Sequence, residues 1–461
     1  MKKLMTGLMM VWAFSLQAQS PLPLKVSANK RFFSTSDGKP FFWLGDTGWL
    51  LFVKCTRDEV LEYLDARKAQ GFNVVQVMVL HELKIAKNVY GDSALVNHDV
   101  SKPLVTPGND FNNSEGYDYW DHIDFVIDEA AKRGMYMALV PVWGSNVKGG
   151  HVSKGQAALY AQFLAKRYKS KTNVIWMNGG DVRGTEGLDV WQTIGATLKK
   201  YDPQHLITYH PRGRYSSSDW FHNERWLDFN IFQSGHRTYA QDTSKNDKHF
   251  FGEDNWKYVQ ADYRRQPVKP VLDGEPSYEN IPHGLHDSLE VRWSAGDLRR
   301  YAYWSVFAGG FGFTYGENAV MQFHTKGDAD ANYGVTTNWK TAIHSPGAEQ
   351  MRYLKKLLES RSYYDRTPAQ EILPNNNGKR YGYLLATKGK GYALIYTYVG
   401  NKFQVDLSKT GFIPGKASWF KPSSGEMTSF DVPVVKGITE FDPPGEAAEG
   451  NDWVLVLEKG K

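Results

Sequence analysis

Eight apolar, strand-like runs alternate with stretches of helical periodicity over the first three quarters of this chain, and this alternation narrows the possible folds more than any other feature. The runs are Phe42–Asp46, Phe72–Leu80, Met135–Trp143, Val174–Asp181, Leu206–His210, Phe229–Ser234, Val271–Glu275 and Gly309–Gly316. Helical patterns fall between them at Asp58–Ala69, Tyr119–Arg133, Gly155–Tyr168, Val190–Tyr201, Glu253–Arg265 and Leu298–Phe307, and a last one follows Ser345-Pro346. Strands that alternate with helices build parallel sheets, and eight such units predict a closed (β/α)8 TIM barrel rather than an open sheet. No glycine-rich phosphate loop follows the first run, which weighs against the doubly wound alternative.

The flanks read differently. Ser36-Asp37-Gly38-Lys39 between two apolar arms predicts an N-terminal hairpin. Residues 84–117 form a long polar stretch after the second run, expected on the functional face of the barrel. From about Asp365 the runs become short and are separated by turn residues, which predicts an antiparallel β-sandwich domain. The expected organisation is a leader at 1–18, the barrel with its hairpin at 19–364, and the sandwich at 365–461.

The leader expectation rests on Lys2 and Lys3, the apolar stretch Leu4–Leu16 and a small residue at Ala18, which together resemble a cleavable export signal. That stretch is short of the roughly 20 residues needed to span a bilayer. The protein is therefore expected to be exported to the periplasm, the cell surface or the medium, with no membrane span. The 461 residues carry 55 basic and 50 acidic side chains, and losing the two leader lysines lowers the net charge from +5 to +3. So even a balance gives no nucleic-acid partner, and a monomer is expected. Cys55 is the only cysteine, so no intrachain disulfide exists. No His or Cys spacing suggests a metal, and no cofactor is implied.

Asp181 and Glu275 each end an apolar run at the tips of strands four and seven, which a barrel brings to one mouth. Glycoside hydrolysis needs one protonated and one ionised carboxyl, and this pair is the candidate catalytic set. Asp46, His81, Trp143, His210, His236 and Tyr315 also lie at or just past strand ends and are candidate substrate-binding residues. For Asp46 the sequence leaves open whether it binds a sugar hydroxyl, caps its loop or reacts; His81, His210, Trp143 and Tyr315 can also be read as core residues, and His236 as a loop residue. Glu279 and Glu317 are secondary acid candidates. Gly179 and Gly180 read as clearance, letting the chain turn and a sugar approach Asp181 closely.

Leu44-Gly45-Asp46-Thr47-Gly48-Trp49, Gly71-Phe72-Asn73-Val74-Val75-Gln76, Val174-Ile175-Trp176-Met177-Asn178-Gly179-Gly180-Asp181 and Asp273-Gly274-Glu275-Pro276-Ser277-Tyr278-Glu279 resemble glycoside hydrolase family one hundred and forty, the apiosidase-like barrels. The similarity runs over roughly residues 25–460. It implies a retaining barrel with Asp181 as acid/base and Glu275 as nucleophile. The implied reaction releases apiose from the galacturonic acid backbone of the pectin rhamnogalacturonan II, so the expected partner is a plant cell-wall pectic oligosaccharide. Two competing readings are a glycosidase of the same scaffold acting on another plant glycan and a barrel that binds carbohydrate or collagen without turnover. The acid pair argues against the second, because a pure binder has no need of it.

Overall fold

The computed structural model describes residues 20–113, 115–243, 250–374, 377–432 and 437–460. The expected leader, 1–18, lies outside these residues. The eight runs form eight parallel strands: Trp43–Thr47, Val74–Met78, Tyr136–Val140, Val174–Val182, Ile207–Pro211, Asn230–Phe232, Val271–Asp273 and Gly312–Tyr315. Strand one pairs with both strand two and strand eight, so the sheet curls on itself in the order five-four-three-two-one-eight-seven-six. Strands five and six close the ring through isolated bonds: Asp228 N–H donates to the Ile207 carbonyl at 2.8 Å, and Thr208 Oγ1 donates to the Phe229 carbonyl at 2.7 Å. The first three strands are buried along their whole length. Covered on both faces, such strands read as continuous apolar runs and not as alternation.

Helices coat the ring and start where local chemistry tells them to. Thr56 and Glu59 form a reciprocal capping box at the start of Arg57–Ala69, as Ser294 and Asp297 do for Ala295–Phe307. Cys55, just before the first of these boxes, is buried, and burial pushes its thiol well above the usual range. The sequence-predicted runs lie within three residues of the hydrogen-bonded strands at either end; the first, fourth and fifth stop one residue short of the strand's last residue. Residues Leu24–Val26, Phe33–Thr35 and Pro40–Phe41 form a small antiparallel sheet at the N-terminal flank.

The C-terminal residues form two antiparallel sheets, one of six strands and one of two. Within the large sheet, Tyr392–Thr397 pairs with Trp453–Lys459. Leu394, Tyr396, Val454 and Val456 join the barrel's apolar core, while Ala393, Ile395, Leu455 and Leu457 join the sandwich's own core. Both faces of this sheet are therefore buried, one against the barrel. Ion pairs reinforce the contact: Arg299, on the helix after strand seven, meets Asp452 at 2.7 Å, with both side chains nearly out of reach of water.

Candidate active site

Strand four ends in a distortion. Gly179 pairs with His210 and Val182 with Pro211, so Gly180 and Asp181 bulge out of the ladder. Gly179, Gly180 and Asp181 all have positive φ, at 91°, 122° and 56°. Bulges re-aim side chains, and a non-glycine residue in the left-handed region is a strained choice found at functional positions. The protein itself requires both glycines. A Cβ on Gly179 would lie 2.5 Å from the His210 carbonyl, and one on Gly180 would lie 2.8 Å from the Gly144 nitrogen. The expected turn is there, and the glycines also give clearance to strand five and to the Trp143 ring and Gly144 backbone beyond strand three.

Glu275 lies two residues beyond strand seven. Its main-chain carbonyl accepts from Gly235 N–H at 3.2 Å, and Gln76, reaching across the barrel interior, donates to the Gly274 carbonyl at 2.9 Å. Two imidazoles hold its carboxylate. His236 Nε2 is 3.3 Å from Oε1, and His210 Nε2 comes within 2.9 Å of Oε2 at an angle poor for a hydrogen bond. His210 Nδ1 accepts from the Asp181 main-chain N–H at 3.4 Å. That leaves the ring proton on Nε2, facing Glu275.

Asp181 and Glu275 line the same cleft, of about 350 Å3. Their environments drive the two carboxyls apart. Confinement by the cleft walls and the negative charge of Glu275 raise Asp181 to about 6, although its side chain is open to cleft water. Burial pushes Glu275 up, but His210 and His236 outweigh it and hold the group well below the usual carboxylate range. Opposite shifts in one cleft mark out an acid that keeps its proton and a carboxylate that does not.

Around this pair stand aromatic rings. Trp49 and Trp143 have centroids 5.5 Å apart, and both pack against His210. Trp49 Nε1 donates to the Tyr278 hydroxyl at 2.9 Å, and Tyr278 packs edge-on to His236. His81 also lines the cleft, and burial lowers its pKa.

The structure thus brings Asp181, Glu275, His81, Trp143, His210 and His236 together. It does not bring Asp46 or Tyr315. Asp46 is fully buried, accepting from the Tyr63 hydroxyl at 2.6 Å and Arg67 Nε at 2.7 Å, and so ties strand one to its helix. Tyr315 is also buried, donating to Glu279 at 2.5 Å. Glu279 in turn accepts from Gly347 N–H at the start of the last long helix, and Glu317 accepts from the N–H groups of Ala319 and Val320. These two acids are caps, away from the cleft. None of the described residues of the long 84–117 stretch lines the cleft. Trp49, Tyr278, Arg212 and Tyr333 line the cleft and were not singled out from sequence. They sit in loops beyond strand ends, where spacing carries no signal.

Residues 27–365 match the family model described as "Apiosidase-like, catalytic domain". The chain belongs to the apiosidase-like family. Residues 367–458 match a second model, "Putative collagen-binding domain of a collagenase". Two solved structures resemble the whole chain. One, a glycoside hydrolase, is 42% identical with a TM-score of 0.87, over 95% of this chain and 97% of the other. The second, described as a glycoside hydrolase family 5 from Bacteroides vulgatus ATCC 8482, is 41% identical with a TM-score of 0.86, over 96% and 95%. No curated protein matches this chain. The apiosidase-like resemblance seen in the motifs is borne out, and the protein is a glycoside hydrolase built as a TIM barrel with a β-rich C-terminal domain. Among the described residues no helix is long and apolar enough to cross a membrane.

Proposed function

We propose that this glycoside hydrolase is an exported apiosidase that releases apiose from the galacturonic acid backbone of rhamnogalacturonan II, with Asp181 as acid/base and Glu275 as nucleophile. The observation that carries the catalytic assignment is the opposite shift of the two carboxyls in one cleft. The family carries the sugar.

In this reading Asp181, protonated below about pH 6, donates to the glycosidic oxygen as the bond to the leaving sugar breaks. Glu275, kept ionised by its two histidines, attacks the anomeric carbon to form a glycosyl-enzyme. Asp181, now a carboxylate, takes a proton from water, which attacks that carbon and frees the sugar. Trp49 and Trp143 offer apolar faces to the C–H side of the ring, and His81 borders the same cleft. Asp46 and Tyr315 have no part, being used inside the fold. The C-terminal domain serves as a buttress in this reading, since one face of its large sheet is spent on the barrel.

The test is a product assay on rhamnogalacturonan II oligosaccharides with wild type, Asp181→Asn and Glu275→Gln. Apiose release by the wild type and loss of most turnover in both variants are expected. Release of another sugar would keep the glycosidase and overturn the apiosidase.

A further inference from the structure

The cleft is electrically lopsided. Arg212, Arg214 and Arg237 come from the loops after strands five and six, next to the strand-four tip that carries Asp181. The outer carboxylate of the cleft, Asp330, comes from the loop after strand eight, close enough to act on His81. Arg214 is committed, because Asp242 pairs with it. The Arg212 and Arg237 side chains are exposed, and among the described residues neither guanidinium has a hydrogen bond or ion pair. Their loops touch: a Cβ on Gly235 would lie 3.9 Å from the Gly213 Cα. Arg212 N–H also donates to the Val182 carbonyl at 3.0 Å, one residue past Asp181.

A general acid stands at the leaving group, because it protonates the oxygen that departs. The Arg212 charge acts on Asp181 and so lies on the side of the leaving sugar, and Arg237 joins it through the touching loops. Guanidinium groups recognise carboxylates with paired, charge-assisted hydrogen bonds, which neutral hydroxyls do not match. We propose that Arg212 and Arg237 form an anion subsite that binds the carboxylate of a uronic acid leaving sugar and sets the specificity of the cleft for acidic glycans. This rests on Asp181 being the acid, but it concerns residues outside the reacting pair.

The experiment measures binding of trigalacturonic acid and of its methyl ester, by calorimetry, to wild type, Arg212→Ala, Arg237→Ala and the double variant. Neither probe contains apiose. The free acid is expected to bind wild type at least tenfold more tightly than the ester, and the preference should shrink with added salt. Each single variant should lose about tenfold for the acid and far less for the ester. Arg212→Lys keeps the charge and should recover part of the loss, which a folding defect would not allow. Equal binding of acid and ester, equal losses for both, or no binding of either would overturn the subsite. Apiose release by the same preparations is scored separately. A protein that binds uronate selectively but frees no apiose would sink the proposed activity and keep the subsite.

Discussion

Raising the pH should switch this enzyme off in a way the structure specifies. Asp181 is held at about 6, so in the proposed mechanism it serves as the acid only below that point. The protonated fraction is about nine tenths at pH 5, about one tenth at pH 7 and about one hundredth at pH 8, and kcat/KM for a sugar leaving group should follow it. The acid side should be flat, because Glu275 lies well below the usual range and stays ionised at pH 4. A second substrate separates proton donation from general loss of activity. A nitrophenyl glycoside leaves as a stabilised anion and needs little help from an acid. Its alkaline limb should flatten, and Asp181→Asn should slow its bond-breaking step only modestly. For the natural linkage the same variant should lose about 10²–10⁴-fold. The assay is initial rate from pH 4 to 8 on both substrates. An activity that climbs from pH 6 to pH 8, or a natural-linkage rate untouched in Asp181→Asn, would refute the assignment of Asp181 as the acid.

Three further predictions follow from named contacts. Asp181 holds its proton more tightly folded than unfolded, so the native state loses stability as pH rises from 3.8 through about 6; Asp181→Asn should therefore raise Tm at pH 7 more than at pH 4, and an equal change at both pH values would contradict the shift. Asp46→Ala strands Arg67 in the core and should cost about 3–5 kcal/mol in urea unfolding while leaving KM of the folded enzyme unchanged, a raised KM returning Asp46 to the substrate. Gly180→Ala forces a side chain into Trp143 and Gly144 at φ 122°, so it should cut kcat sharply while Arg212→Ala at the rim does not disturb the fold, as judged by circular dichroism.

The barrel was legible because parallel strands buried on both faces leave long apolar runs, and because the helices between them begin at caps such as Thr56 with Glu59. That Asp181 and Glu275 would meet in one cleft was legible because both residues end such runs. Asp46 shows where this reading stops. A carboxylate at a strand tip looks the same whether it meets a substrate or an arginine, and Arg67 declares itself only when the following helix folds back. Tyr315 and Glu279 repeat the lesson with a partner 36 residues away. Trp49 and Tyr278 stood inside the quoted motifs with no role assigned and Arg212 lay outside them, because all three join the cleft through loop paths that no periodicity records. The bulge at Gly180 and Asp181 is likewise a tertiary fact, packed against strand five and the Gly144 backbone beyond strand three.

The central claim is that Glu275 attacks the sugar while Asp181 supplies and then removes the proton. Mass spectrometry of the intact protein after incubation with a 2-fluoro-type activated glycoside of the cleaved sugar tests it most directly. The account predicts one added glycosyl group, carried by the peptide containing Glu275 and absent in Glu275→Gln. Turnover of the natural substrate with no glycosyl adduct on Glu275, or with the adduct on another residue, would contradict it.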